Sequence, residues 1–122
     1  MKIIPLLSVK NMKESVSFYT TVLDFELKYA DTSMDDWVID LINGEAELQL
    51  SLEGNQNPGF AINVRVENID ALFQKYLLRG LDNSNKKNSP VHQGPLDQSW
   101  GMREFYVTDP NGNTLRFGEP LE

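Results

Sequence analysis

Val9-Lys10-Asn11 and Val66-Glu67-Asn68 open the same pattern at an offset of 57 residues (68 minus 11), and this duplication narrows the available folds more sharply than anything else in the sequence. Each tripeptide closes an apolar, strand-like run and leads into apolar residues at helical spacing. Val16, Tyr19, Val22 and Leu23 make the first stripe, with Phe18 beside it, and Ile69, Leu72, Phe73, Tyr76 and Leu77 make the second. Asn11 is placed to cap the first helix, with Glu14 three residues on, and Gly80 is placed to end the second.

Strand-like segments follow each helix. In the first half these are 25–31, 36–42 and 45–52, with Asn43-Gly44 marking a two-residue hairpin between the last two. Segment 45–52 alternates Glu45, Glu47, Gln49 and Ser51 against Ala46, Leu48, Leu50 and Leu52, the period of a half-buried strand. Glu53-Gly54-Asn55-Gln56-Asn57-Pro58-Gly59 then breaks the pattern with turn-forming residues. It restarts with Phe60, Ile62, Val64 and Val66 alternating against Ala61, Asn63 and Arg65. The stretch 82–99 is polar and loop-rich, with a short strand expected near Val91. Met102 to Val107 and Thr114 to Phe117 complete the set around the turn Asp109-Pro110-Asn111-Gly112-Asn113.

The expected fold is therefore α+β, with two βαβββ modules inside one domain spanning residues 1–122. Module one covers 1–53, a linker covers 54–59, and module two covers 60–122. Each sheet would pack its apolar parity on its helix. If the two mixed sheets curve about a pseudo-two-fold, the other parity, with Glu47, Gln49, Asn63 and Arg116, lines a cleft between them.

Composition removes several function classes. The chain has no cysteine and a single histidine, His92, within a polar loop-like stretch. Thiolate chemistry and disulfides are thus absent, and any metal would have to rely on carboxylates. The formal net charge is −7, and only Lys86-Lys87 pair among the cations, which argues against nucleic acid as a partner. No apolar run reaches the roughly 18 residues of a membrane helix, and no leader-like segment is seen, so a cytoplasmic location is expected.

Two segments carry a family resemblance. Val9-Lys10-Asn11-Met12-Lys13-Glu14-Ser15-Val16-Ser17-Phe18-Tyr19 and Asp109-Pro110-Asn111-Gly112-Asn113-Thr114-Leu115-Arg116-Phe117 resemble the opening and closing signatures of the glyoxalase / bleomycin resistance / dioxygenase superfamily, also called vicinal oxygen chelate proteins. The resemblance implies that metal-dependent members would place their ligands at Ile4, at Gln49 or Glu47, at Ala61 and at Arg116. Ile and Ala cannot ligate, and Arg116 is a fixed cation, so neither a metal nor another cofactor is expected. Trp100-Gly101-Met102-Arg103-Glu104-Phe105, followed by the closing segment and Gly118, is similar to the bleomycin resistance branch. That branch implies a homodimer that sequesters its drug without modifying it.

Such a binder needs aromatic faces for a flat ligand and carboxylates for a cationic tail. Trp37 follows Asp35 and Asp36, and Trp100 follows Asp97, each near the start of a strand. Either indole could instead fill the core or a seam. The candidate ligand-binding residues are Asp36, Trp37, Glu47, Gln49, Asn63, Trp100 and Arg116. Arg116 is free to pair with Glu47 or Gln49, or to take a ligand carboxylate. The expected function is sequestration of a bleomycin-class or other planar antibiotic. The alternative is a metal-dependent lyase or dioxygenase of the same superfamily with an atypical ligand set that draws on Glu47, Gln49, Glu104 or an aspartate loop. A protein-interaction module without a small ligand is a third reading.

Overall fold

A computed structural model describes residues 1–52, 61–84 and 94–122. The elements run β1 (Leu6–Val9), α1 (Met12–Thr21), β2 (Glu26–Leu27), β3 (Val38–Asn43), β4 (Ala46–Leu52), β5 (Ala61–Arg65), α2 (Ile69–Leu78), β6 (Leu96–Asp97), β7 (Met102–Thr108) and β8 (Thr114–Pro120). They form two four-stranded mixed sheets with the same internal order, β1-β4-β3-β2 and β5-β8-β7-β6. In each sheet the first strand pairs parallel with the fourth and the other neighbours are antiparallel. The α+β class and the duplicated pattern are therefore as the sequence predicts. The expected linker, Phe60, Lys86-Lys87, the strand near Val91 and His92 lie outside the described residues.

The chain divides into two compact units, Met1–Pro58 with Asp109–Gly112, and Gly59–Thr108 with Asn113–Glu122. In unit one, α1 lies on β4, and the stripe of Val16, Tyr19, Val22 and Leu23 is buried together with Leu7, Val9, Ile39, Leu41, Leu48 and Leu50. Asn11 caps α1 by accepting a hydrogen bond from the Glu14 amide at 3.0 Å. In unit two, α2 lies on β7 and β8 through an aromatic core. The rings of Phe105 and Phe117 stack at 5.0 Å, and Phe73 and Tyr76 meet them edge-on.

The Asp109–Gly112 turn completes unit one. Its Asp109 carboxylate accepts a hydrogen bond from the Tyr19 hydroxyl at 2.8 Å, where both groups are buried. Burial first, and then the charge and hydrogen bond of Asp109, push that phenol far above its ordinary pKa. The Asn111 side chain accepts from the Lys10 amide at 2.9 Å and donates to the Ser8 carbonyl at 2.5 Å, so it continues β1 as one rung of a ladder would. The two segments that carry the family resemblance are thus in direct contact.

Of the boundaries that differ from expectation, three have clear local reasons. The strand expected over 25–31 is only Glu26–Leu27, because Tyr29 and Ser33 open consecutive turns. The Tyr29 carbonyl accepts from the Thr32 hydroxyl at 2.7 Å, and Asp36 accepts from the Ser33 amide at 2.9 Å. The first hairpin has Gly44 and Glu45 at its tip, one residue later than expected. Asn43 pairs with Ala46, and Gly44 takes the positive φ of 58° at the first central position. β1 begins only after Pro5, which has no amide to give to a ladder but whose carbonyl accepts from Gln49 N at 2.9 Å.

Candidate functional site

The polar parity of each sheet, on the face away from the helix, holds most of the residues that the sequence singles out. In unit one this face consists of three cross-strand rows. They are Leu6–Gln49–Asp40, Ser8–Ser51–Val38, and Glu47–Ile42–Glu26. Glu47 and Gln49 are therefore neighbours on one face of β4, as expected. Glu47 is fully engaged: its two oxygens accept from Lys2 Nζ at 2.8 Å and Lys28 Nζ at 3.0 Å, and its side chain is only 4% exposed. The hydrogen bond from Lys2, then that from Lys28, holds its carboxyl below the ordinary value. Beside Gln49, Asp40 Oδ1 is buried without a hydrogen-bond partner among the described residues.

In unit two the corresponding central row is Asn63–Arg116–Tyr106, so Asn63 and Arg116 sit directly opposite each other. The next row along the same face is Arg65–Gly118–Glu104. Arg116 Nη2 lies 3.4 Å from Glu104 Oε1, whose side chain is 3% exposed. The Tyr106 hydroxyl donates to the same oxygen at 3.1 Å, and the Arg116 guanidinium lies 5.0 Å from the Tyr106 ring centroid. Arg116 thus has a carboxylate within its own sheet, at Glu104. Its Nε is buried with no hydrogen-bond partner among the described residues. Among those residues each central row therefore leaves one polar atom unpaired, an acceptor in unit one and a donor in unit two.

Both tryptophans stand at turns that enter the third strand of their unit. Trp37 directly precedes β3 and is 74% exposed, and its carbonyl accepts from the Leu52 amide at 2.8 Å. The neighbouring Asp36 is exposed and spends its carboxylate on the Ser33 amide, which shapes the turn that presents the indole. Trp100 is 56% exposed at the tip of the β6–β7 hairpin. That hairpin is closed by the Gln98 amide donating to the Met102 carbonyl at 2.7 Å, and Gly101 turns it at a φ of 84°. Arg103 braces its base through Asp97 at 2.9 Å and ties it to α2 through Asp70 at 2.9 Å. Neither indole fills the core of its unit.

The grouping is partial. Glu47 with Gln49, and Asn63 with Arg116, are brought side by side, whereas Trp37 with Asp36 and Trp100 each occupy a turn. Sequence reasoning missed Asp40 and Tyr106 as members of these faces, put Arg65 on the parity of Asn63 without counting it as a site residue, and weighed Glu104 only as a metal ligand. The available signal was register: pairing Asn63 with Arg116 places Tyr106 and Glu104 beside them once the β7–β8 hairpin is counted from its turn. Among the described residues, no three His, Cys, Asp or Glu side chains cluster as a metal ion would require, and no helix is long and apolar enough to cross a membrane.

Comparison with known proteins places this geometry in context. The model of the Glyoxalase/Bleomycin resistance protein/Dioxygenase superfamily matches residues 4–117. A bleomycin-binding protein solved in complex with bleomycin superposes with a TM-score of 0.79 at 19% identity, covering 98% of each chain. The bleomycin-binding protein from bleomycin-producing Streptomyces verticillus, solved with copper(II)-bleomycin, gives 0.75 at 24% identity over 96% of this chain and 93% of that one. The uncharacterized protein YraH of Bacillus subtilis (strain 168) is 25% identical, covering 94% of both chains. At these identities the structural likeness speaks for the fold.

Proposed function

Because the chain belongs to the Glyoxalase/Bleomycin resistance protein/Dioxygenase superfamily, we propose that it is a non-catalytic binding protein of the bleomycin resistance kind. It sequesters a planar aromatic small molecule, an antibiotic of the bleomycin class or a relative of similar shape, and leaves it chemically unchanged. The observation that carries this reading is the pair of exposed indoles, Trp37 and Trp100, each held on a turn that leads into the third strand of its unit. A large apolar ring kept in water costs stability, and a flat ligand that stacks on it recovers that loss.

The positions that a metal-dependent relative would use support the same reading. Ile4 and Ala61 offer no donor atom, Glu47 is held by two lysines, and Arg116 brings a cation that is paired with Glu104. These residues do not fit a divalent metal, whose first shell needs three or four neutral or anionic donors. The reading includes assembly as a homodimer.

The test is a titration of bleomycin into metal-free protein, followed by tryptophan fluorescence and calorimetry together. The expected result is saturable quenching near one ligand per chain, lost in Trp100→Ala, with the drug recovered intact. Absence of signal at high micromolar drug overturns the bleomycin-class assignment. Turnover of a substrate that appears with added divalent metal and disappears with chelator overturns the non-catalytic reading.

A further inference from the structure

Resting on the binding reading above, the geometry of unit two says something about the charge of the ligand. One arginine crosses a glycine, and a second stands two residues away on the same face of the strand. Arg65, Gly118 and Glu104 form one cross-strand row, and Arg116 lies two residues along β8 on the same face. A Cβ built on Gly118 would sit 3.2 Å from Arg65 Nη1, 3.4 Å from Glu104 Cγ and 3.0 Å from Met102 Cε. The Arg65 guanidinium therefore crosses over the bare backbone of β8, and the missing side chain at Gly118 is what admits it.

The charge count around this point does not close. Among the described residues Glu104 is the one carboxylate paired with either arginine, and its contact with Arg116 is a single long one of 3.4 Å. Arg65 makes no ion pair among the described residues. Arg116 Nε is buried and has no hydrogen-bond partner among the described residues. Arg65 is exposed and offers its N–H donors to solvent or to a ligand, and the one carboxylate at 3.4 Å leaves most of the Arg116 fork free of a charged acceptor among the described residues. Glu104 itself is 3% exposed and also receives the Tyr106 hydroxyl, so it serves to fix the cluster and has little capacity left to neutralise it.

We propose that Arg65, crossing Gly118, and Arg116 beside it form an oxyanion seat, and that the planar ligand of this protein carries a carboxylate or phosphate, which makes it a relative of similar shape and not a drug held through a cationic tail. A planar, bidentate acceptor matches a guanidinium fork in both shape and charge. The Tyr106 ring beside Arg116 adds an aromatic face at the edge of the same seat. The chain as a whole is acidic, with a net charge of −7, so a local surplus of cations on one sheet face is a departure from the rest of the molecule.

Two probes with the same flat body and opposite charge test this: 2-naphthoate and 2-naphthylmethylammonium, titrated at constant ionic strength and followed by amide chemical shifts. Naphthyl phosphate is the third probe, and whichever of it and naphthoate binds tighter identifies the type of oxyanion. The expected result is saturable shifts at residues 63–65, 104–106 and 116–118 with the acids and not with the amine. Binding should weaken about tenfold or more in Arg65→Gln, a substitution that leaves the Arg116–Glu104 pair in place, and in Arg116→Gln. Tighter binding of the amine, or acid binding unchanged in Arg65→Gln, overturns the proposal. If bleomycin quenches the indoles while neither acid binds, the oxyanion seat falls and the sequestering function stands. If the acids bind and bleomycin does not, the seat stands and the bleomycin-class ligand falls.

Discussion

Tyr19 has two faces with different duties. Its ring is fully buried against Phe18 and Phe25, and its hydroxyl ends on a buried carboxylate 90 positions away in the chain. Helical spacing makes the ring legible, because a residue on the stripe of Val16 and Leu23 must face the core. The hydroxyl is not legible in this way, since nothing local distinguishes a Tyr from a Phe at that position. Tyr19→Phe should destabilise the protein by about 2 kcal/mol, the cost of removing a donor from a buried charged acceptor, as read from urea unfolding. The same blindness applies to Arg65 and Arg116. Their residue type suggests charge on a polar parity, but the unpaired Nε and the crossing over Gly118 depend on atoms from three strands.

Elements with many residues in phase were read correctly, and short ones were not. The helices, β4 and β7 each present enough periodic positions to define a face. β2 and β6 have two residues each, too few for any period, and only their hairpin partners define them. The repeated Asn at the two helix starts is a subtler case. Asn11 is extended and caps α1 with its own side chain, whereas Asn68 is left-handed at a φ of 55° and makes no side-chain cap. The Glu119 carboxylate takes its place, accepting from the Asn68 amide at 2.6 Å and the Ile69 amide at 3.4 Å. Asn11→Ala should therefore cost about 1 kcal/mol, and Glu119→Ala a similar amount. Asn68→Gly should stay within about 0.5 kcal/mol of the parent, because Gly adopts the left-handed conformation without strain. Denaturant midpoints of the three variants check this.

At the scale of the whole chain, the duplication was visible because it repeats residue types at a fixed offset, and both sheets have the same strand order as a result. Membership of the Asp109–Gly112 turn in unit one was not visible. It rests on contacts spanning 90 to 103 positions, which no window of the sequence samples. That turn also sets a timetable. A nascent chain leaves the ribosome from its N-terminus, so when Pro58 emerges the first unit still lacks the acceptor for Tyr19 and the side-chain rung beside Ser8 and Lys10. Those arrive only after nearly all of the second unit has been made. A fragment ending at Pro58 should accordingly show poor amide dispersion alone and gain it when a peptide covering residues 105–116 is supplied in trans. Completion of the first half of the molecule thus waits on synthesis of the second, and a stalled or truncated product is marked by an unfinished N-terminal half.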